Sequence, residues 1–188
     1  MDKTTKQNLS YALIKLMDNY EVENIQIEML VKEANCTHAT FNNQYDSVIE
    51  LLYEIIDETL EEVKSKIRVP YLNMKEIDFA KFPKKEVILF DYLKEHQVLF
   101  DVLMKQRKLL DLNRFFADII EELYVEEYQF HLNNTKVNPD MYKVYAANGI
   151  AAIIIRWMET GYNETPEYLV DQAIELLRTA SLGFEQIN

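Results

Sequence analysis

Apolar residues recur every three or four positions along most of the chain, a spacing typical of amphipathic helices. The first stripe predicts a helix from Thr5 to Asn19. Residues 27–52 then predict a short helix, a tight turn, a second short helix and the start of a long helix, which runs to about Ile67. This layout is the one in which a helix-turn-helix protein presents its second short helix to the major groove of DNA.

Turn and cap residues sharpen that prediction. Asn35 follows the first short helix and tolerates the left-handed backbone that a helix stop often needs. Thr37 is placed to cap a helix beginning at His38. Within this second short helix Ala39 and Phe41 are predicted to face inward, and the residues left to point outward are Thr40, Asn42, Asn43 and Gln44.

A looser pattern separates these elements from the rest of the chain. Between Val69 and Phe82, Pro70 and Asn73 interrupt the periodicity, so we expect a connector there with one helical turn. The predicted divisions are a helix-turn-helix domain at 1–50, a connecting helix at 51–69 and a C-terminal helical ligand-binding and dimerisation domain at 70–188.

Helical periodicity returns in the C-terminal part. A long helix is predicted from Leu109 to about Leu132. Asn138-Pro139 reads as the cap and first residue of another helix, which Gly161 stops, and Thr165-Pro166 begins the last one. Residues 145–155 are apolar almost all round, so this stretch should be buried on more than one side.

Composition supports an all-α fold. The 188 residues contain only three glycines and four prolines, and 48% are hydrophobic. A β-sandwich or a doubly wound sheet would need many more turn residues. We therefore expect an N-terminal three-helix helix-turn-helix domain, joined by a long helix to a C-terminal bundle, with about nine or ten helices in all.

Several chemistries lack the residues they need. With three glycines there is no glycine-rich phosphate loop, and the three histidines form no metal-binding motif. The single cysteine, Cys36, cannot form an internal disulfide and is most simply a small apolar residue. We expect no enzymatic activity, no catalytic residue, no cofactor and no metal. No export signal or membrane span is evident, so a cytoplasmic location is expected.

Residues 4–56 carry a family pattern. The stretch from Ala34 to Leu52 resembles the Ala-Gly-Val-Ser-x-Gly-Thr-Phe-Tyr-x-His-Phe-x-x-Lys-x-x-Leu-Leu pattern of TetR-family transcriptional regulators. Thr40, Phe41, Leu51 and Leu52 stand as in that pattern, and Thr37 and Tyr45 are close substitutes. Departures fall on the DNA side, where Asn42, Gln44 and Val48 replace a tyrosine, a histidine and a lysine. The resemblance implies binding to double-stranded operator DNA, palindromic for a symmetric dimer.

The C-terminal part resembles one branch of this family. The run from Asn148 to Gly161, followed by Thr165-Pro166-Glu167, is similar to Firmicute regulators of the dihydroxyacetone-kinase-operon type. In such proteins the last two helices pair with their copies, so the resemblance implies a homodimer. The residues we expect at its interface are Tyr145, Asn148, Ala152, Ile155, Leu169 and Ile174.

Charge bears on how strongly DNA is bound. Residues 1–66 contain six Lys or Arg and thirteen Asp or Glu, a balance of −7 within a total of −12. Attraction to phosphates must therefore be weak, although Lys3, Lys6 and Lys32 flank the presumed groove-facing helix. Amide side chains can read adenine edges and a threonine can approach a phosphate or a thymine methyl. The DNA-binding residues we predict are Lys32, Thr37, His38, Thr40, Asn42, Asn43 and Gln44; the alternative is a solvated helix that contacts nothing.

Two functions remain open from the sequence. The first is a dimeric DNA-binding regulator controlled by an unidentified small-molecule or protein effector in the C-terminal domain. The second is a protein-interaction co-regulator that keeps the fold but has lost direct DNA binding, as the acidic N-terminal segment allows. Aromatic side chains that could line an effector pocket, although such residues are more often core, are Tyr92, Phe100, Phe116 and Trp157.

Overall fold

A computed structural model describes residues 3–72, 76–106, 110–179 and 181–186. The predicted all-α fold is confirmed, and a small sheet accompanies it. Within the described residues the α-helices are α1 (Lys3–Met17), α2 (Ile27–Glu33), α3 (His38–Asn42), α4 (Val48–Arg68), α5 (Leu89–Glu95), α6 (Gln97–Lys105), α7 (Leu112–Glu122), α8 (Pro139–Glu159) and α9 (Pro166–Arg178). The chain divides into two compact units, residues 1–62 and 63–188, and α4 contributes to both.

The N-terminal unit packs α1, α2, α3 and the first part of α4 around one apolar core. The predicted stripe of α1 lies inward, with Leu9 and Leu13 fully buried. Leu30 of α2, Phe41 of α3 and Leu51 of α4 are also fully buried. These side chains account for the three- and four-residue spacing in the sequence, because every third or fourth residue returns to the same helix face.

The C-terminal unit holds the other five helices. Helix α8 packs along α7, and α9 packs on α5 and α8. The predicted ends of α8 are confirmed: the Asn138 side chain accepts N–H bonds from Asp140 (2.8 Å) and Met141 (3.2 Å), and Gly161 has φ +81°. The Thr165 hydroxyl likewise accepts the Tyr168 N–H at 3.2 Å and begins α9.

Three strands were not predicted from the sequence. They are β1 (Glu76–Asp78), β2 (Tyr128–Leu132) and β3 (Ser181–Gln186), in the order β1-β3-β2 with both pairs antiparallel. Phe130 pairs with Phe184, and Ile77 pairs with the same residue from the other side. The central strand β3 therefore joins β1 and β2, which are about fifty residues apart in the sequence.

This sheet corrects the prediction of one helix from Leu109 to Leu132. Helix α7 ends at Glu122, a π-helical turn covers Leu123–Glu127, and the chain continues as β2. Phe130 is buried against Tyr124 and Tyr142, with ring centroids 5.0 and 5.2 Å away. Tertiary packing and the ladder to β3 thus override the local helical pattern. The connector expected at 69–82 contains β1 and two 3-10 turns, Val69–Tyr71 and Phe79–Lys81.

Candidate nucleic-acid interface

The turn between α2 and α3 is a Schellman motif. Asn35 has φ +51°, as predicted for a left-handed helix stop. Its N–H bonds to the Lys32 carbonyl at 3.3 Å, and the Cys36 N–H bonds to the Val31 carbonyl at 2.9 Å. Burial raises the pKa of the Cys36 thiol, in keeping with its expected apolar role. This turn sets the direction in which α3 leaves α2.

Helix α3 is capped at its start and anchored at its middle. The Thr37 hydroxyl accepts the Thr40 N–H at 3.1 Å, which confirms the predicted cap, and lies 2.9 Å from the Thr40 hydroxyl. Phe41 is completely buried. Ala39, predicted to face inward, is exposed. The reason is that residues two apart on a helix point about 200° apart, so Ala39 and Phe41 cannot both face the core.

The outward surface of α3 and the turn after it is polar and carries few charges. We call it the α3 face; its exposed members are His38, Asn42, Asn43 and Gln44. Thr37 is also exposed and Thr40 is half-buried. The His38 Nε2 atom lies 3.7 Å from a carboxylate oxygen of Glu28 on α2. The structure thus brings the predicted α3 residues onto one short segment with amide, imidazole and hydroxyl groups at its surface.

The lysines near this surface differ in their partners. Lys32 is exposed near the end of α2. Lys6, predicted to flank the groove-facing helix, instead donates hydrogen bonds to Glu54 at 2.7 Å and to Glu58 at 2.6 Å. It is therefore paired inside the N-terminal unit. Sequence reasoning missed this pairing because the partners are 48 and 52 positions away.

Tyr45 was also missed as part of the site. It is buried directly behind α3, with its ring 5.6 Å from that of Phe41. Its hydroxyl donates to Glu54 at 2.5 Å. Burial, followed by this hydrogen bond, raises its pKa to about 12, so the phenol is protonated at neutral pH.

The residues predicted for a dimer interface fall into two groups. Tyr145 is 72% exposed, Asn148 and Ala152 are exposed, and Ile155 is half-buried. Leu169 and Ile174, by contrast, are buried in the core of their own protomer. The burial of these two side chains follows from the packing of α9 on α5 and α8 of the same chain.

The four aromatic residues predicted to line a pocket contact other side chains of the C-terminal unit. Phe100 and Phe116 are fully buried, and Trp157 packs on Phe90 and Tyr162 with centroids 5.6 and 4.9 Å away. Tyr92 stacks on His96 at 4.3 Å. Phe100, Phe116 and Trp157 therefore belong to the core and Tyr92 is half-buried, and none of the four lines the apolar cavity of this unit.

That cavity lies elsewhere in the C-terminal unit and has a volume of about 70 Å³. Its walls are mostly apolar, with the hydroxyl-bearing Tyr71 and Tyr124 and the amine-bearing Lys66 among them. The other lining residues are Ile67, Pro70, Phe79, Phe82, Val87, Leu89, Phe90, Ile120, Leu123, Ile150, Val170, Ala173, Ile174 and Leu177. Its walls come from segments scattered between residues 66 and 177, so no local pattern in the sequence could have marked it.

Two other kinds of site are absent from the parts of the chain that the structure describes. There is no group of His, Cys, Asp or Glu side chains arranged to hold a metal ion. Across the same residues, no helix is both long and apolar enough to span a membrane.

Comparisons with known proteins agree with this geometry. A TetR family model, described as the transcriptional regulator C-terminal region, matches residues 86–179, which is half of the 188 residues. No match was found among curated protein sequences.

Solved structures share the fold along nearly the whole chain. The dihydroxyacetone kinase operon activator DhaS is 21% identical, with 93% of this chain and 94% of that chain covered and a TM-score of 0.60. A transcriptional regulator from Aquifex aeolicus is 15% identical, with coverages of 93% and 98% and a TM-score of 0.61. A TetR regulator from Streptococcus agalactiae is 16% identical, with coverages of 92% and 93% and a TM-score of 0.58.

The similarity to these structures shows the fold, and the family model shows to which family the C-terminal half belongs. Together with the helix-turn-helix geometry of α2 and α3, they lead to one conclusion. The chain belongs to the TetR family of transcriptional regulators.

Proposed function

We propose that a homodimer of this chain binds palindromic operator DNA by placing α3 of each protomer in the major groove. The observation that carries the proposal is the α3 face: a capped, core-anchored helix with polar side chains at its surface. We assign DNA binding to residues 1–50, the connection to 51–69, and dimerisation with effector binding to 70–188.

The side chains of the α3 face suit base edges better than phosphates. Asn42, Asn43 and Gln44 each carry an amide that can both donate and accept, which matches the N6 and N7 atoms of adenine. Thr40 can approach a phosphate or the methyl group of thymine. Lys32 supplies a nearby cation for the phosphate backbone of the DNA. Affinity should therefore depend more on sequence, and less on total charge, than in a basic helix-turn-helix protein.

Dimerisation is supported by exposed apolar side chains on the last two helices. On α8, Met141, Tyr145, Asn148 and Ala152 follow at four-, three- and four-residue steps and so share one surface, which we call the α8 face. Met141 is 65% exposed and Tyr145 is 72% exposed. On α9, Leu176 and Tyr168 are each half exposed. Large apolar side chains exposed together on one helix surface are typical of a protein interface.

An effector would be a small, mainly apolar molecule bound in the C-terminal cavity. Burial of apolar groups among walls such as Phe79, Phe90 and Leu123 supplies the affinity. Lys66, which belongs to α4 and lines the cavity, could orient a polar end of such a molecule.

A selection from random DNA duplexes at low salt tests the proposal. The dimer should enrich a palindrome whose half-sites are about one helical turn apart. The matched control is a variant in which Asn42, Asn43 and Gln44 are all alanine; it keeps the buried anchors and should enrich nothing. Failure of the natural protein to enrich any sequence would contradict DNA binding.

The acidic balance of residues 1–66 favours a second candidate, a co-regulator that acts by binding another protein. It predicts no operator and a stable complex with a second protein when the chain is purified from its own cells. Tight operator binding by the purified homodimer alone would exclude this candidate.

A further inference from the structure

One carboxylate joins three segments of the N-terminal unit. Glu54, on α4, accepts a hydrogen bond from the Lys6 amine of α1 through Oε1 at 2.7 Å. Through Oε2 it accepts a hydrogen bond from the Tyr45 hydroxyl at 2.5 Å. Lys6 also donates to Glu58, one turn further along α4, at 2.6 Å. We call these four side chains the Glu54 network.

The charge states of the network are mutually consistent. The hydrogen bonds from Lys6 and then Tyr45 hold the pKa of the Glu54 carboxyl below its usual range. The same carboxylates raise the pKa of the Lys6 amine. At neutral pH the network therefore consists of two carboxylates that accept, an ammonium that donates to both and a neutral phenol that donates to Glu54.

Tyr45 connects this network to α3. Its backbone N–H bonds to the Phe41 carbonyl at 3.0 Å, and its ring lies against the Phe41 ring. Helix α3 has five residues, too few to be stable alone, so its orientation depends on anchors outside it. Thr37 anchors its start and Phe41 its centre, and Tyr45 with Glu54 anchors the chain as it leaves.

We propose that Glu54 is a positioning residue for DNA reading: it fixes the end of α3 through Tyr45 and keeps Lys6 as an internal counterion rather than a phosphate ligand. The consequence for DNA affinity rests on the proposed function. The positioning itself is a property of the unbound protein and can be measured without DNA.

The first experiment is amide hydrogen exchange of the full chain without DNA, comparing Glu54→Leu and Tyr45→Phe with the natural protein. Exchange should accelerate severalfold in residues 38–45 and remain unchanged in α1 and α2. Lys15→Met is the matched control, because it breaks another lysine–carboxylate contact of α1, to Glu33 at 2.5 Å, that does not involve α3. Unchanged protection of residues 38–45, or equal acceleration throughout α1 and α2, would overturn the positioning role.

The second experiment measures affinity for the selected operator as a function of salt. Lys6→Met should weaken binding while leaving the slope of log affinity against log salt unchanged. Lys32→Met should reduce that slope by about 1 for each phosphate that the lysine no longer neutralises. An equal reduction for Lys6→Met would show that Lys6 binds phosphate and overturn its role as a counterion. If the natural protein binds no DNA, the proposed function fails while the exchange result still decides the positioning role.

Discussion

The α3 face of the N-terminal unit and the α8 face of the C-terminal unit expose opposite chemistry. The N-terminal unit presents amides and an imidazole on the α3 face, whereas the C-terminal unit presents Met141, Tyr145 and Leu176. Polar groups can replace their hydrogen bonds to water with hydrogen bonds to base edges. Exposed apolar groups, by contrast, stabilise a complex only when another apolar surface covers them and removes them from water. The contrast teaches that DNA reading and self-association should be separable by substitution.

The largest expected effect tests whether the N-terminal unit can be unfolded while the C-terminal unit stays folded. Phe41→Ala removes a fully buried ring, which should cost about 3–5 kcal/mol of unfolding free energy in this small unit. Operator binding should disappear while sedimentation still shows a dimer. Phe116→Ala, an equally buried position, is the control for the C-terminal unit. Loss of the dimer in Phe41→Ala would show that DNA reading and self-association are not separable.

The next effect concerns the α8 face. Tyr145→Asp places a charge at the proposed interface and should weaken dimerisation by about 30-fold or more, equivalent to roughly 2 kcal/mol. Sedimentation at several protein concentrations measures it. Tyr11→Asp is a matched control, since Tyr11 is 71% exposed, almost the same as Tyr145, but lies on α1. Equal weakening by both substitutions would contradict a specific interface on α8.

A smaller effect should follow from one amide of the α3 face. Asn43→Ala should cost about 1 kcal/mol of operator affinity and leave binding to unrelated duplexes unchanged, because it removes hydrogen bonds to a base and leaves the charge as it was. Fluorescence anisotropy with both duplexes measures the difference. Asn24→Ala, an exposed asparagine before α2, should change neither. Equal loss of affinity for all duplexes would show that Asn43 contacts the phosphate backbone of the DNA instead of a base.

The smallest effect is a pH-dependent part of the N-terminal unit's stability. Folding lowers the pKa of the Glu54 carboxyl from 4.5. The ionised carboxylate therefore stabilises the folded unit above pH 4.5, and this stabilisation is lost as the pH falls through the lowered pKa of the folded state. Glu54→Gln should therefore cost about 0.5–1 kcal/mol at neutral pH, a modest figure because the pair is partly exposed. The difference between the variant and the natural protein should shrink as the pH falls below 4.5 and vanish below the lowered pKa, in urea unfolding followed at several pH values. A difference that persists in acid would show that the charge of Glu54 is not responsible.

The helix-turn-helix was predictable because its determinants are local. Asn35 and Thr37 each act on backbone groups within a few residues, so their positions in the sequence were enough. The exposure of Asn42, Asn43 and Gln44 followed from the same local helix. The pairing of Lys6 with Glu54 joins residues 48 apart and could not be read from spacing.

The C-terminal unit was less predictable because its closing contacts are distant. The β1–β3 pairing joins residues more than a hundred positions apart. The β2 segment Tyr128–Leu132 alternates apolar and polar residues, as a strand does, but over only five positions, so the helical pattern before it was continued through it. The start of α9 was predicted at Thr165-Pro166, but the sequence does not tell whether the same chain or a second copy covers the apolar residues of that helix. Leu169 and Ile174, predicted for the dimer interface, are buried within their own protomer.

The most direct test of the account is the salt dependence of operator affinity for the natural dimer. If uncharged side chains of the α3 face carry recognition, and Lys6 is held by Glu54, few phosphates are neutralised. The slope of log affinity against log salt should then be about −4, corresponding to about two phosphate contacts in each protomer. A slope of about −8 would contradict the account, because it would mean that phosphate contacts dominate binding.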